Sequence, residues 1–325
     1  MSSDSLPDGA SSRERASSGG GAHRHTRNTG GDVYGAIEAG GTKFICAVAR
    51  SHDEVLEQTR IDTTGPEHTI SQCLEFFRSA FSRTGPPRSF GIASFGALDP
   101  DRNSPTYGYI TETPKTAWRH TDLVGPFAEE FHVPVGFDTD VNAAALAEHR
   151  WGAVSGSSLV YFTVGTGIGA GAVSDGTLVH GMVHPEMGHI RPARAPGDTD
   201  FEGICAYHGD CLEGLAAGPA VEARWGASAE QLPETHRAWD IEAFYLAQAV
   251  VVATATLSPH VVVLGGGVMK VPGLIEKVRV AASRQMAGYF PPVWKTGDLT
   301  SYVRLPALGD ASGASGAVAL AMSEA

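Results

Sequence analysis

Four soft or borderline donors fall within one short stretch of the chain. His189 closes Glu186-Met-Gly-His189, and Cys205, His208 and Cys211 follow at C-x₂-H-x₂-C spacing. Thiolates and neutral imidazoles are the ligands that a closed tetrahedral zinc site takes. The flanking sequence is rich in Gly, Asp and Pro and offers little apolar material in which to bury a cysteine. A metal centre is the expectation, against the plainer readings of ordinary cysteines or a disulfide. Such a centre marks a site without naming a reaction.

Three glycine turns carry a second kind of chemistry. Gly40-Gly41-Thr42-Lys43 separates two apolar runs between Tyr34 and Ala49, as a β-hairpin does, and is expected to use positive φ angles at its glycines. Its backbone N–H groups, hydroxyl and ammonium could hold a phosphate, although the P-loop spacing is absent. Gly165-Thr166-Gly167 recurs in the same strand–turn–strand setting between Ser158 and Val173. This repetition points to two related lobes that grip a polyphosphate from opposite sides. Gly265-Gly266-Gly267 follows the β-branched run His260–Leu264, a turn that lets a ring or phosphate approach the backbone closely. Between the hairpins, Asp138-Thr-Asp140-Val-Asn142 lies where a strand's carboxyl end meets an alanine-rich helix. One of the two aspartates is expected to cap that helix, and the other is a candidate general base.

The elements that must position these residues alternate as in an α/β protein. Strands are expected near 55–63, 88–94, 133–137 and 302–305. Helices are expected near 67–82, 122–131, 212–223 with a break at Gly218-Pro219, 241–257, 274–286 and 311–322. Ile70, Leu74, Phe77 and Phe81 recur at helical spacing and read as core. The aromatic, hydroxyl-rich segment 103–118 reads as a binding loop. Residues 1–32 have no periodic apolar face and read as a disordered extension. A first lobe is expected over 33–153 and a second over 154–325, with the terminal helix free to pack back on the first.

Composition bounds the partners. Acidic side chains number 36 against 24 basic, a formal charge of −12, which opposes binding to nucleic acid or an anionic membrane surface. Apolar runs such as Ala247–Leu257 are too short and interrupted to span a bilayer, so no membrane helix is expected. With four cysteines in all, Cys46 and Cys73 do not make a disulfide framework, and a reducing cytoplasm is the expected setting.

The order and joint presence of these motifs carry a family resemblance. Glu38-Ala-Gly-Gly-Thr-Lys43, Ser104-Pro-Thr-Tyr-Gly-Tyr-Ile-Thr111, Asp138–Asn142, Gly165-Thr-Gly-Ile-Gly169, Glu186–His189, Cys205–Gly214 and Gly265–Gly267 together resemble the ROK-family sugar kinases, in particular their zinc-containing fructokinase branch. The chain departs from that pattern at Ala206 and at Lys115-Thr116-Ala117. The resemblance implies an α/β actin-like (ribonuclease H-like) fold with two lobes around a cleft. It implies ATP with Mg²⁺ at Gly40, Gly41, Thr42, Lys43, Gly165, Thr166, Gly167, Gly265, Gly266 and Gly267. It implies Asp140 as the general base that takes the proton of a sugar hydroxyl, and Asn142, Glu186, His189, Thr106 and Gly96 as sugar-binding. It also makes the zinc structural, held by His189, Cys205, His208 and Cys211, with the second nitrogen of His189 left for the sugar. D-Fructose phosphorylated at its 6-hydroxyl is the expected substrate, and mannose a further one. Glucose and N-acetylhexosamines are the alternatives, and a sugar-sensing regulator is the non-enzymatic one. A homodimer is expected.

Overall fold

A computed structural model of the chain describes residues 31–152, 156–289 and 298–325. The extension expected over 1–32 lies almost wholly outside these residues, as does the lobe boundary expected at 153/154. The first glycine turn joins β1 (Tyr34–Ala39) to β2 (Lys43–Ala49), antiparallel with Ala39 opposite Phe44, and β3 (Val55–Asp62) continues the meander. Helix α1 (Pro66–Thr84) then crosses to β4 (Ser89–Ser94), which runs parallel to β1. Ile70, Phe77 and Phe81 of α1 are buried as their spacing predicts. Phe77 and Phe81 meet Phe90 of β4 and the rings of Phe127 and Phe131 in one aromatic cluster.

The loop after β4 contains a short ladder of β5 (Tyr109–Ile110) and β6 (Thr121–Asp122). Helix α2 (Gly125–Phe131) starts later than expected because Asp122 Oδ1 accepts the Val124 and Gly125 N–H groups ahead of it. Strand β7 (Val135–Thr139) closes the first sheet in the order β3-β2-β1-β4-β7, and α3 (Asp140–Trp151) follows it without a linker.

The second sheet repeats the plan. An antiparallel meander of β8 (Leu159–Val164), β9 (Ile168–Ser174) and β10 (Thr177–Leu178) is extended in parallel beside β8 by β11 (Val261–Gly265) and β12 (Val303–Arg304). The order β10-β9-β8-β11-β12 matches the first sheet strand for strand, so the repetition read from the two hairpins extends to whole sheets. Helices α4 (Leu212–Ala216) and α5 (Gly218–Trp225) break at Ala217, beside the expected Gly218-Pro219. They pack with α6 (Ala238–Leu257) and α7 (Leu274–Met286) in the main core of this half.

Helix α6 begins three residues before the expected start, and its 20 residues are long and apolar enough to cross a membrane by length and composition. More than half of it is buried against α4 and α7 in this fold, where burial of each large aliphatic side chain contributes about 1.5–3 kcal/mol.

Helices α3 and α8 (Ser312–Ser323) lie between the sheets. Close approach here is set by small residues. A Cβ on Gly91 of β4 would run into the Ala317 carbonyl of α8, and one on Gly171 of β9 would sit 2.5 Å from Asn142 Cα of α3. The two helices are also latched together. Glu148 of α3 is buried, and its carboxylate accepts the Ala307 and Leu308 N–H groups at 3.0 Å each and the Ser312 hydroxyl at 2.8 Å. Glu148→Gln replaces one acceptor oxygen with a donor that faces donors. It should lower the denaturation free energy by about 1–3 kcal/mol, read from the shift in urea midpoint. Cys46 and Cys73 are buried and free, with their sulfurs 3.4 Å apart.

Candidate active site

Asp140 opens α3 at the carboxyl end of β7, the edge where parallel sheets present their ligands. Neither neighbouring aspartate caps this helix. Thr139 does, its hydroxyl accepting the Asn142 N–H at 3.0 Å, which corrects the expectation that Asp138 or Asp140 would do so. Capping by Thr139 leaves Asp140 free of helix duty except for one bond from the Val141 N–H at 2.8 Å. Desolvation raises the Asp140 carboxyl to about pH 6, against that bond, and the nearby charges of Glu38 and Glu186 push it the same way.

Asp138 is occupied elsewhere. It is buried, accepts the Thr139 N–H and the Asn142 amide at 2.8 Å each, and lies 2.7 Å from His180 Nε2, a contact that raises the His180 pKa. The remaining Asn142 oxygen accepts the Ala172 N–H at 3.3 Å. Asn142, expected to hold a sugar hydroxyl, is thus fully buried with both ends of its amide engaged, and it ties α3 to β9.

Asp140 borders a cavity of about 170 Å³ whose walls include Glu38, Tyr161, Thr163, Gly266 and Ser312. The ends of β1, β8 and β11 therefore converge on one carboxylate. In the first turn the Gly40 N–H donates to the Lys43 carbonyl at 2.9 Å, and Thr42 and Lys43 are exposed. Neither Gly40 nor Gly41 adopts positive φ, contrary to expectation; what Gly41 supplies is space, because a Cβ there would lie 2.8 Å from Lys115 Cε. In the second turn Gly165 and Gly167 also keep negative or extended φ, and the exposed Thr166 sits at the tip. Gly266 is the glycine that does need its freedom, at φ +91°, while Gly265 ends β11 and Gly267 is exposed.

The second turn is braced from the metal segment. Glu213, two residues beyond Cys211, accepts the Ile168 N–H at 3.0 Å, and a Cβ on Gly167 would come within 2.7 Å of that carboxylate oxygen. Gly167→Val should displace the brace and raise the ATP Kd by about tenfold or more, an effect of about 1.4 kcal/mol that calorimetry would resolve.

The four donors of the metal segment lie together, with ligand atoms within 4.8 Å of one another. His189 Nδ1 is 3.4 Å from Cys211 Sγ and 3.9 Å from Cys205 Sγ, and His208 Nδ1 is 3.6 Å from Cys205 Sγ. A tetrahedral zinc at ordinary bond lengths sets sulfur and nitrogen donors about 3.6 Å apart, so the cluster fits that ion. Cys211 also caps α4, its sulfur accepting the Gly214 N–H at 3.5 Å, and Cys205 and Gly209 exchange backbone bonds that close the loop. Nδ1 is the His189 nitrogen that faces the thiols, which leaves Nε2 directed away from them. A single 3₁₀ turn fixes Glu186 to His189 through the His189 N–H and the Glu186 carbonyl at 3.0 Å.

Glu186 is exposed and borders a second cavity, of about 360 Å³, with Leu98, Asp99, Ser104, Thr111 and His184. Gly96 lies against the His184 ring, and Thr106 hydrogen-bonds Asp99 at 2.7 Å. The sequence reading assigned no role to Glu38, Glu213 or His184. Glu38 had a local signal, a carboxylate inside an apolar strand; the partners of the other two are set by the fold.

A model of the ROK family matches residues 34–324. The chain belongs to the ROK family. Similar ROK proteins include a fructokinase of Zymomonas mobilis, 49% identical over 294 residues that cover 89% of this chain and 96% of that one. A putative fructokinase of Bacillus subtilis is 44% identical, over 89% and 95%. Among solved structures, the ROK hexokinase of Thermus thermophilus superposes with a TM-score of 0.73 at 28% identity, covering 90% of this chain and 98% of that one. The fold is accordingly the actin-like α/β fold of the ROK sugar kinases.

Proposed function

We propose that this protein is an ATP-dependent kinase that transfers the γ-phosphoryl group to the 6-hydroxyl of D-fructose. The observation that carries the reading is Asp140, a carboxylate with its pKa near 6 on a cavity lined by Glu38 of β1 and by Tyr161 and Thr163 of β8, one strand from each hairpin. A general base works best with a pKa close to the working pH, and a carboxylate so placed can take the proton of an attacking hydroxyl. Phosphoryl transfer asks mainly for alignment, charge neutralisation and exclusion of water. Backbone N–H groups of the two turns, with Thr42 and Lys43, hold the phosphates. Mg²⁺ carried in with ATP would supply the countercharge, and Glu38 and Asp310 are the other carboxylates that border this cavity.

Glu186 and His189 Nε2 hold sugar hydroxyls on the opposite side, with Gly96 and Thr106 shaping the loop above them. His189, Cys205, His208 and Cys211 would hold a zinc ion, which would fix the orientation and tautomer of the His189 ring. Lobes at 33–153 and 154–325, the second lending α8 to the first, close over the pair. The working form is a cytoplasmic homodimer. Fructose as the acceptor is supported by the fructokinases among the relatives. A coupled assay of the purified protein with ATP and fructose, mannose, glucose and N-acetylhexosamines tests it. A kcat/KM on glucose or an N-acetylhexosamine above that on fructose would refute the assignment.

A further inference from the structure

His184 lies five residues before the metal ligand His189, and at 6% exposure its ring is buried while the Glu186 side chain beside it is open. Nε2 of the ring is 3.3 Å from the Leu98 backbone nitrogen, whose N–H donates to it. A backbone N–H can only donate, so Nε2 accepts and bears no proton. In the neutral ring the proton then sits on Nδ1, and Nδ1 is 3.4 Å from Glu186 Oε1. The same ring touches the turn after β4, since a Cβ on Gly96 would lie 3.5 Å from both Cε1 and Nε2. His184 therefore joins the loop after β4 to the segment that carries Glu186 and His189. It does so at the wall of the 360 Å³ cavity, a size usual for small-molecule sites.

We propose that His184 is a positioning residue for sugar binding: anchored by the Leu98 N–H, it presents Nδ1–H to Glu186 and aims that carboxylate at the sugar. The proposal rests on the reading of Glu186 as a sugar ligand. An unrestrained glutamate at the surface samples many rotamers, and the order it must acquire on binding costs affinity. A buried imidazole held at its far nitrogen removes part of that cost beforehand. It also couples the two loops that contact the sugar, so that a change in one is felt by the other.

The test is a double-mutant cycle on the full chain, with fructose Kd by calorimetry, KM and kcat by coupled assay, and ATP Kd, zinc content and thermal midpoint measured alongside. His184→Phe fills the same space without either nitrogen. It should weaken fructose by about tenfold, the scale of one polar interaction with a charged group, with kcat and ATP Kd nearly unchanged. His184→Asn puts an amide N–H where Nδ1 was and should recover most of that loss. In a Glu186→Gln background, His184→Phe should add less than about twofold, because the two act as one unit. Full additivity of the two substitutions, or an Asn variant as impaired as Phe at parental thermal midpoint, overturns the proposal. A Glu186→Gln variant that binds fructose normally also overturns it, and it does so by removing Glu186 from the sugar site, so the two kinds of failure are distinct.

Discussion

Asp140→Asn is expected to cut kcat by about 10²–10⁴-fold, the range for loss of a positioned general base, while fructose and ATP Kd stay within a few-fold of parental values. The amide keeps the size of the carboxylate and can still accept the Val141 N–H at its oxygen, so binding geometry survives and only proton removal is lost. Acid should act on the parental enzyme in the same way. In the proposed base role the carboxylate is the active form, and its pKa is raised to about 6 by desolvation, with Glu38 and Glu186 adding to the shift. Log kcat/KM should therefore fall with unit slope as pH drops below about 6, and this limb should vanish in the Asn variant.

Stability carries an opposite signature. A carboxyl whose pKa is higher in the folded state than in the unfolded chain favours folding below its unfolded pKa, and that contribution disappears as pH rises through about 6. Ionised Asp140 is thus a burden at neutral pH. Asp140→Asn should melt no lower than the parent at pH 7.5, which separates a catalytic defect from a folding one. Parental turnover in the Asn variant, or an acid limb that persists in it, would remove Asp140 from the base role.

What could be read from the sequence follows the range of the forces involved. Both hairpins are local, their glycines and hydroxyls standing within a few residues of one another, and three of the four clustered donors fall within seven residues, Cys205 to Cys211. The repeated pattern of strand, glycine turn and strand was legible for the same reason, whereas the full strand order that the two sheets share rests on parallel pairings between distant strands. Two polar residues were hidden because their partners lie far along the chain. Glu148 looks like one more surface glutamate at the end of an alanine-rich helix, and its acceptors are used by residues about 160 positions away. Asn142 reads as a ligand until β9 supplies the Ala172 N–H that occupies it. Thr139 took the cap because the short β-branched hydroxyl reached the N3 amide, a choice among three adjacent capping types that spacing cannot make. Helix α6 extends to Ala238, ahead of the expected start at 241, because Asp240 interrupts the apolar run in sequence without ending the helix.

Removing the metal centre should have the other large effect, and through positioning more than chemistry. Cys211 is the buried ligand of the cluster and also the cap of α4, whose Glu213 braces the second hairpin turn through the Ile168 N–H. His189 shares a 3₁₀ turn with Glu186. An ion held by this cluster would therefore order both the 165–168 turn and the segment that carries Glu186. Cys211→Ser should abolish stoichiometric zinc, because a hydroxyl is a poor substitute for a thiolate at such a site. The thermal midpoint should fall by about 5–10 °C, since a few kcal/mol shifts a domain of this size by a few degrees each. Fructose KM should rise more than tenfold, and ATP KM should rise with it. Amide exchange should quicken over residues 186–214 and at the 165–168 turn while the first sheet stays protected, a readout independent of turnover. Chelation of the parental protein, with Mg²⁺ restored for the assay, should reproduce the variant's behaviour, and added zinc should reverse it in the parent alone. A sample verified as zinc-free that keeps parental fructose KM and parental exchange at 165–168 would contradict the brace.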